Sequence, residues 1–444
     1  MKKIFVRLLC VFMVVAMLVG ATACGRKRGV DTGELNVNLP TDYAAELTFT
    51  VLNQPGETTT ANKLVEEFNK IYPNIEIELY TMPDPYLQTV VREGAAQNLP
   101  DIVWGSDYDV QTLIDNDLLI PLDDYIAADD GINMDDFVQA TMLCGKDGLT
   151  EDGQQYLMAR DYNKMVCYYN KDIFDDCGVA YPQKGWTWND FLSTCAQLKE
   201  GMSKLSKYAG GFVANCDFRA QTFYTSMFES YGAGVVNSTG APAFNDATKQ
   251  VLTEMQNFVK AGYTWEHGSG KDVTFVSNKL AINFAVRPNT SNIAQNGINF
   301  DCIEMPAMGT TPKVQSGCSG YGIYKYATDR NAAWAFISFI MSKEGQDAFG
   351  TTGNSVPIRT DMQATDGSQV WTQYPSSDIN HEAFVSYPER DIFINYYKDI
   401  DARIKDDVIA FVVNMIDNVI KQDPITPDAA ISLARTNILK ALEF

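Results

Sequence analysis

The sequence predicts an α/β protein built as two lobes, and three observations predict it. From about residue 46 onward, stretches that alternate apolar and polar residues take turns with stretches whose apolar residues recur at helical spacing. The first of these run strand, helix, strand, an order that a parallel right-handed crossover satisfies. The roughly 400 residues after the N-terminal segment exceed what one hydrophobic core holds, so the chain divides in two.

The elements follow in order. Lys2, Lys3 and Arg7 precede an apolar run from about Leu8 to Val19, which is the grammar of an export signal and too short for a comfortable membrane span. Ala21-Thr22-Ala23 supplies the small residues a peptidase needs, and one reading is plain secretion with Cys24 a bystander. The stretch Ala21-Thr22-Ala23-Cys24-Gly25 also resembles a bacterial lipobox, although Ala21 stands where Leu is usual. In such a motif the cysteine takes a diacylglycerol and becomes the new N-terminus, and the basic run Arg26, Lys27, Arg28 would assist it at a membrane face. Residues 1–23 are therefore read as a lipoprotein signal peptide and 24–45, polar and aperiodic, as a flexible tether.

"ELTFTVLN" alternates and reads as a strand, "TTTANKLVEEFNKIYP" as a helix with a Thr cap and a Pro stop, and "IEIELYTM" as a second strand. "YLQTVVREGAAQNLP" is the next helix and "DIVWGS" a short buried strand. A doubly wound lobe of this kind binds ligands beyond the carboxyl ends of its strands, which directs attention to the loops from Asn53 and Gly105.

Composition excludes several classes. A formal charge of -21 repels phosphate, which argues against nucleic acid and anionic ligands as bulk partners. No second apolar run is long enough to span a membrane. The seven cysteines after Cys24 show no metal spacing and read as buried free thiols. His267 and His381 sit in no zinc motif, so no metal and no cofactor is expected.

The ordered series "FNKIYPNIEIEL", "GAAQNLPDIVW", "LLIPLDDYI", "VCYYNKDIFDDCGVAYP", "GWTWNDF" and "AAWAFISFIMSKEGQDAF" resembles the signatures of the extracellular solute-binding proteins of sugar ABC importers, often called family 1. The resemblance runs from about residue 47 to the C-terminus. It implies a two-lobe α/β fold of the periplasmic-binding-protein type, with a ligand cleft between lobes joined by crossover segments. It also implies a carbohydrate ligand, ABC permease subunits as partners, a monomer, and a lipid-anchored place on the outer face of the membrane of a Gram-positive cell. Matching puts the crossovers near "QYLMARDYNKMVCYYN", "NFDCIEMPAMG" and "FIMSKEGQ". The first lobe is then 46–158 with 300–343, and the second 159–299 with 344–444.

A sugar site needs rings to stack on pyranose faces and polar groups to fix the hydroxyls. Trp186 and Trp188 in "GWTWNDF" are set aside, because Thr187 and Asp190 have capping-box spacing and make this a helix start with packed rings. The loops supply Asn53, Glu57, Ser106 and Asp107. By the resemblance, Asp161 after the first crossover is a ligand residue, with Arg160 beside it departing from the usual pattern. The resemblance adds Asp217, Phe218 and Arg219, and the Gly-rich return loop with Ser319 and Tyr321. Arg287 stands near where the family often carries Trp, which removes the usual stacking platform; Tyr387 and Tyr396 are substitutes from the C-terminal region. Arg160 and Arg287 either point to an acidic sugar or make structural ion pairs. Two alternatives stand beside sugar capture: a non-sugar solute, and a secreted glycosidase, which needs paired carboxylates flanking a stacked sugar.

Overall fold

The computed structural model describes residues 33–443. The signal segment, Cys24 and the first part of the expected tether lie outside the described residues.

Twelve strands form three sheets among the described residues: β1 (Ala45–Leu52), β2 (Ile75–Met82), β3 (Ile102–Ser106), β4 (Met158–Ala159), β5 (Asn163–Lys164), β6 (Val166–Asn170), β7 (Phe212–Asn215), β8 (Leu280–Ala285), β9 (Phe300–Glu304), β10 (Val314–Gly317), β11 (Ser319–Ile323) and β12 (Asp391–Ile392). The first sheet has the order β2-β1-β3-β11-β4. Its first three strands are parallel, as the strand-helix-strand pattern predicts, with Phe49 opposite Leu79 and Ile102. The second sheet has the order β7-β8-β6-β9. Between them a small sheet, β12-β10-β5, carries the chain from one lobe to the other.

The helix Pro55–Phe68 shows why the pattern was readable. Ala61, Leu64 and Phe68, three or four residues apart, are all buried, and Phe68 meets Phe336 edge-on with centroids 5.1 Å apart. Each large side chain so buried contributes about 1.5–3 kcal/mol. The helix starts earlier than the expected Thr cap, at Pro55 after Gln54, and makes no side-chain cap bond. Its first turn is held instead by Glu57, which is drawn to Arg160. The Thr187 and Asp190 capping box is present, opening the helix Trp188–Ser203 with both tryptophans buried.

Three expected boundaries move. β9, expected in the first lobe, pairs along its length with β6 in the second sheet. The helix Lys343–Gly350, expected in the second lobe, packs on the helix Pro55–Phe68 of the first. The chain then runs over the second sheet, where Asn380 N–H donates to Asp301 Oδ1 at 2.7 Å, before it re-enters the hinge at β12. The tether is not free up to residue 45: Asn331 Oδ1 accepts from Asn36 N at 3.1 Å, Tyr43 donates to Asp329 at 2.8 Å, and Leu39 is buried. Strand pairing and these long-range seats depend on residues hundreds of positions apart, which local pattern does not encode.

All seven cysteines of the described residues are free thiols, and six of them are buried.

Candidate functional site

Two groups of side chains gather at strand ends. In the first lobe, the bend after β1 brings Glu57 to Arg160, whose Nη2 donates to both carboxylate oxygens at 2.7 and 2.6 Å. Arg160 Nε donates to Ser319 Oγ at 3.0 Å, and its Nη1 donates to the Tyr321 hydroxyl. The guanidinium also lies over the rings of Tyr321 and Phe349, 5.2 and 5.1 Å from their centroids. Asp161 accepts from Ser319 N at 2.7 Å and Ser319 Oγ at 2.9 Å, and stands 3.4 Å from Arg160 Nε. Burial pushes the Asp161 carboxyl up, and Arg160 opposes that.

Four of the expected site residues are tied into the protein's own hydrogen bonds. Asp161, Ser319 and Tyr321 are buried, with polar atoms bonded to each other and to Arg160. Ser106 donates to Asp109 Oδ2 at 2.7 Å and thereby pins its own turn. Glu57 remains half-buried at the rim, and Asn53 is exposed in the bend before the helix. Asp107 keeps partial exposure in the turn after β3. A Cβ on Gly317 would sit 3.2 Å from Asp107 Oδ1, so the strand passes close under it. Burial pushes the Asp107 carboxyl up to about 7, and Asp109 and Asp161 push in the same direction.

In the second lobe, a cavity of about 620 Å³ opens beside the edge strand β7. Asn215 and Asn283, neighbours on β7 and β8, join through Nδ2 and Oδ1 at 3.2 Å and line it. The turn after β7 adds Asp217, whose backbone takes a positive φ of 35° and whose N–H donates to Asn215 Oδ1 at 3.0 Å. Arg219 also lines the cavity and is paired with Asp417 at 2.6 Å, and His267 approaches the same carboxylate at 3.1 Å. Asn289, Asn292, Trp265 and the acid Asp272 are also on the wall. Trp265 is half-buried and meets Phe212 edge-on at 5.6 Å, so its indole is fixed while part of it stays open.

Of the remaining expectations, Phe218 is on the cavity wall, with its ring buried against Phe223 and Phe258. Arg287 is fully buried and bonds the carbonyls of Trp371 and Tyr374 at 2.9 and 2.6 Å. Tyr387 lies beneath Arg390, whose guanidinium stands 3.7 Å from the ring centroid. Tyr396 donates to Glu229 at 2.7 Å and packs beside Tyr397.

The two groups approach each other through one stretch of chain. Ser291, on the helix Asn289–Gln295 that lines the cavity, donates to Thr352 O at 3.1 Å. Two residues on, Asn354 lies against Gly56 and donates to Thr60 at 3.5 Å, beside Glu57. Reading the sequence missed Asn215, Trp265, His267, Asn283, Asn289 and Asn292. The only signals were the glycine-rich "YTWEHGSG" and the asparagines of "INFAVRPNTSN", neither of which marks a ligand by itself.

Two α/β lobes joined by a three-stranded hinge, with polar clusters at the strand ends, define a two-lobed binding protein. The profile of the bacterial extracellular solute-binding proteins matches residues 63–376, and the chain belongs to that family. The arabinooligosaccharide-binding protein of Bacillus subtilis is 26% identical over 269 residues, 58% of this chain; the match spans about half, 55%, of that relative. A putative binding protein of Brucella abortus is 20% identical over 73% of this chain and 78% of its own. Among solved structures, an ABC substrate-binding protein from Listeria monocytogenes in complex with cycloalternan has a TM-score of 0.76 at 19% identity, covering 90% of this chain and 100% of its own. The sugar-binding protein MalE from Xanthomonas citri has a TM-score of 0.71 at 16% identity, covering 90% and 98%. At these identities the structures establish the fold alone.

Proposed function

We propose that this chain is the substrate-binding lipoprotein of an ABC importer and that it captures an oligosaccharide by hinge closure for delivery to a membrane permease. The observation that carries the reading is the second-lobe cavity. Trp265 offers a fixed apolar face, while Asn215, Asp217, Asn283, Asn289 and Asn292 surround it with donors and acceptors, the combination that holds a sugar ring and orients its hydroxyls. From the first lobe, Asp107, partly exposed in the turn after β3, would complete the hydrogen bonds on closure, while Glu57 stays with Arg160. The lobe units are the two main sheets, and β5, β10 and β12 are the hinge between them. Ligand that bonds both lobes favours the closed state and shifts the population toward it. The similarity to an arabinooligosaccharide-binding protein and to a substrate-binding protein in complex with cycloalternan supports the same reading.

Calorimetry of the full chain against oligosaccharides, paired with small-angle scattering, tests it. Saturable binding with a smaller radius of gyration is expected; binding with an unchanged radius defeats hinge closure, and turnover of the sugar defeats the importer reading. For the anchor, mass spectrometry of the membrane fraction should find a diacylglycerol on Cys24, and a Cys24→Ala protein retained at the membrane overturns that part.

A further inference from the structure

The charges around the site restrict its ligand further than its shape does. Both arginines in reach are already neutralised. Arg160 faces Glu57 through two bonds at 2.7 and 2.6 Å and Asp161 at 3.4 Å. Arg219, the guanidinium on the cavity wall, is paired with Asp417 at 2.6 Å, and the same carboxylate also faces His267 at 3.1 Å. The acids are placed differently. The charged neighbours of Asp107 are themselves acids, Asp109 and Asp161. Asp217 sits in its turn with the carboxyl raised by burial, a shift that Arg219 and His267 oppose.

From this pattern we infer that the site selects uncharged oligosaccharides and rejects those carrying a carboxylate, an inference that rests on the carbohydrate reading above. A sugar hydroxyl can donate to Asp107 and Asp217 and relieve their desolvation. A uronate brings a second negative charge beside these acids and finds no guanidinium to pair with unless an existing ion pair breaks. The chain's net charge of -21 adds long-range repulsion in the same direction. The arginine at position 160 is thus a structural cation held by Glu57, and its presence in the sequence does not signal an acidic ligand.

The test uses the full chain and oligosaccharides matched in length: galactotriose against trigalacturonate, and xylotetraose against xylotriose bearing one glucuronic acid, by calorimetry at low and moderate salt. The neutral member of a binding pair should bind at least tenfold more tightly, with the gap narrowing as salt rises. Equal or tighter binding of the uronate overturns the charge inference and leaves the carbohydrate reading standing. Binding by no member of either pair, nor by any sugar of the wider panel, overturns the carbohydrate reading itself. As a second arm, Asp417→Asn frees Arg219 and should raise uronate affinity at least fivefold relative to the neutral partner. An unchanged ratio in a folded variant also overturns the inference, because the pairing of Arg219 then does not set the preference.

Discussion

His381 accepts at Nδ1 from Arg287 Nη1 at 3.1 Å, while its Nε2–H donates to Ser376 O at 2.9 Å. The contact fixes the tautomer and requires a neutral ring, since an imidazolium has no lone pair to offer. Arg287 is fully buried between the rings of Trp371 and Phe384, 4.8 and 4.9 Å from their centroids. It is held by carbonyls and aromatic faces. Burial and the adjacent guanidinium push the His381 ring down to about 4.

The sign of the pH dependence follows. The unfolded chain takes up a proton on this histidine near pH 6.5, and the folded one does so only near pH 4. The stability that the neutral ring supports is complete above about 6.5 and is lost progressively as pH falls toward 4, by about 3 kcal/mol in all. Urea unfolding at pH 7.5, 5.5 and 4.5 should show this loss, and His381→Gln should remove about one proton from the slope in that window. A variant with the parental slope excludes His381 as its origin.

The Glu57 and Arg160 pair makes a second prediction. Glu57→Ala leaves a buried guanidinium facing Asp161 alone and should cost about 3–5 kcal/mol. Replacing both, Glu57→Ala with Arg160→Met, removes the stranded charge, so the double variant should be less destabilised than the sum of the single ones. Additive losses in chemical denaturation would mean that the two residues do not act as a pair.

Asp161 is expected to report on stability and not on affinity. Asp161→Ala leaves the Ser319 N–H without its acceptor in a buried place, while Arg160 keeps Glu57, at about 1–3 kcal/mol. Ligand dissociation constants for the folded fraction should stay within about threefold, because both carboxylate oxygens are occupied within the protein. A large loss of affinity with an unchanged melting temperature would return Asp161 to the ligand site.

What could be read from the sequence divides along physical lines. Periodicity located β1, β2 and the helix between them, because burial of Leu47, Phe49, Val51, Leu64 and Phe68 is imposed by local spacing. The Thr187 and Asp190 capping box was legible for the same reason, since both partners lie within one turn. Glu57 and Asp107 were singled out because strand ends are where such lobes present polar groups, and Asp217 and Arg219 because the family resemblance sets their segment at the cleft. The roles of Arg160 and Arg287 were not legible. Whether a guanidinium meets a ligand, a carboxylate or a carbonyl depends on partners such as Glu57 and Tyr374, far away in the chain. Trp265 escaped notice because it follows a helix end with no alternation or cap to mark it as facing a cavity.

Trp265 carries the last prediction. Its ring is braced by Phe212 at 5.6 Å and lines the 620 Å³ cavity beside the asparagines of β7 and β8, so it is the one tryptophan on that wall. A sugar stacked there buries apolar C–H surface against a face that costs little ordering entropy, since the indole is already held. Trp265→Ala should therefore weaken oligosaccharide binding by about tenfold to a hundredfold, about 1.4–2.8 kcal/mol. Trp265→Phe should recover part of the loss, because a smaller ring still stacks, whereas Trp265→Leu should recover less although it is similarly apolar. The stability cost should be modest, because the ring is only half-buried. Calorimetry across the three variants separates stacking from simple burial. Equal affinities for Ala, Leu and Phe in folded protein would place the sugar elsewhere in the cleft.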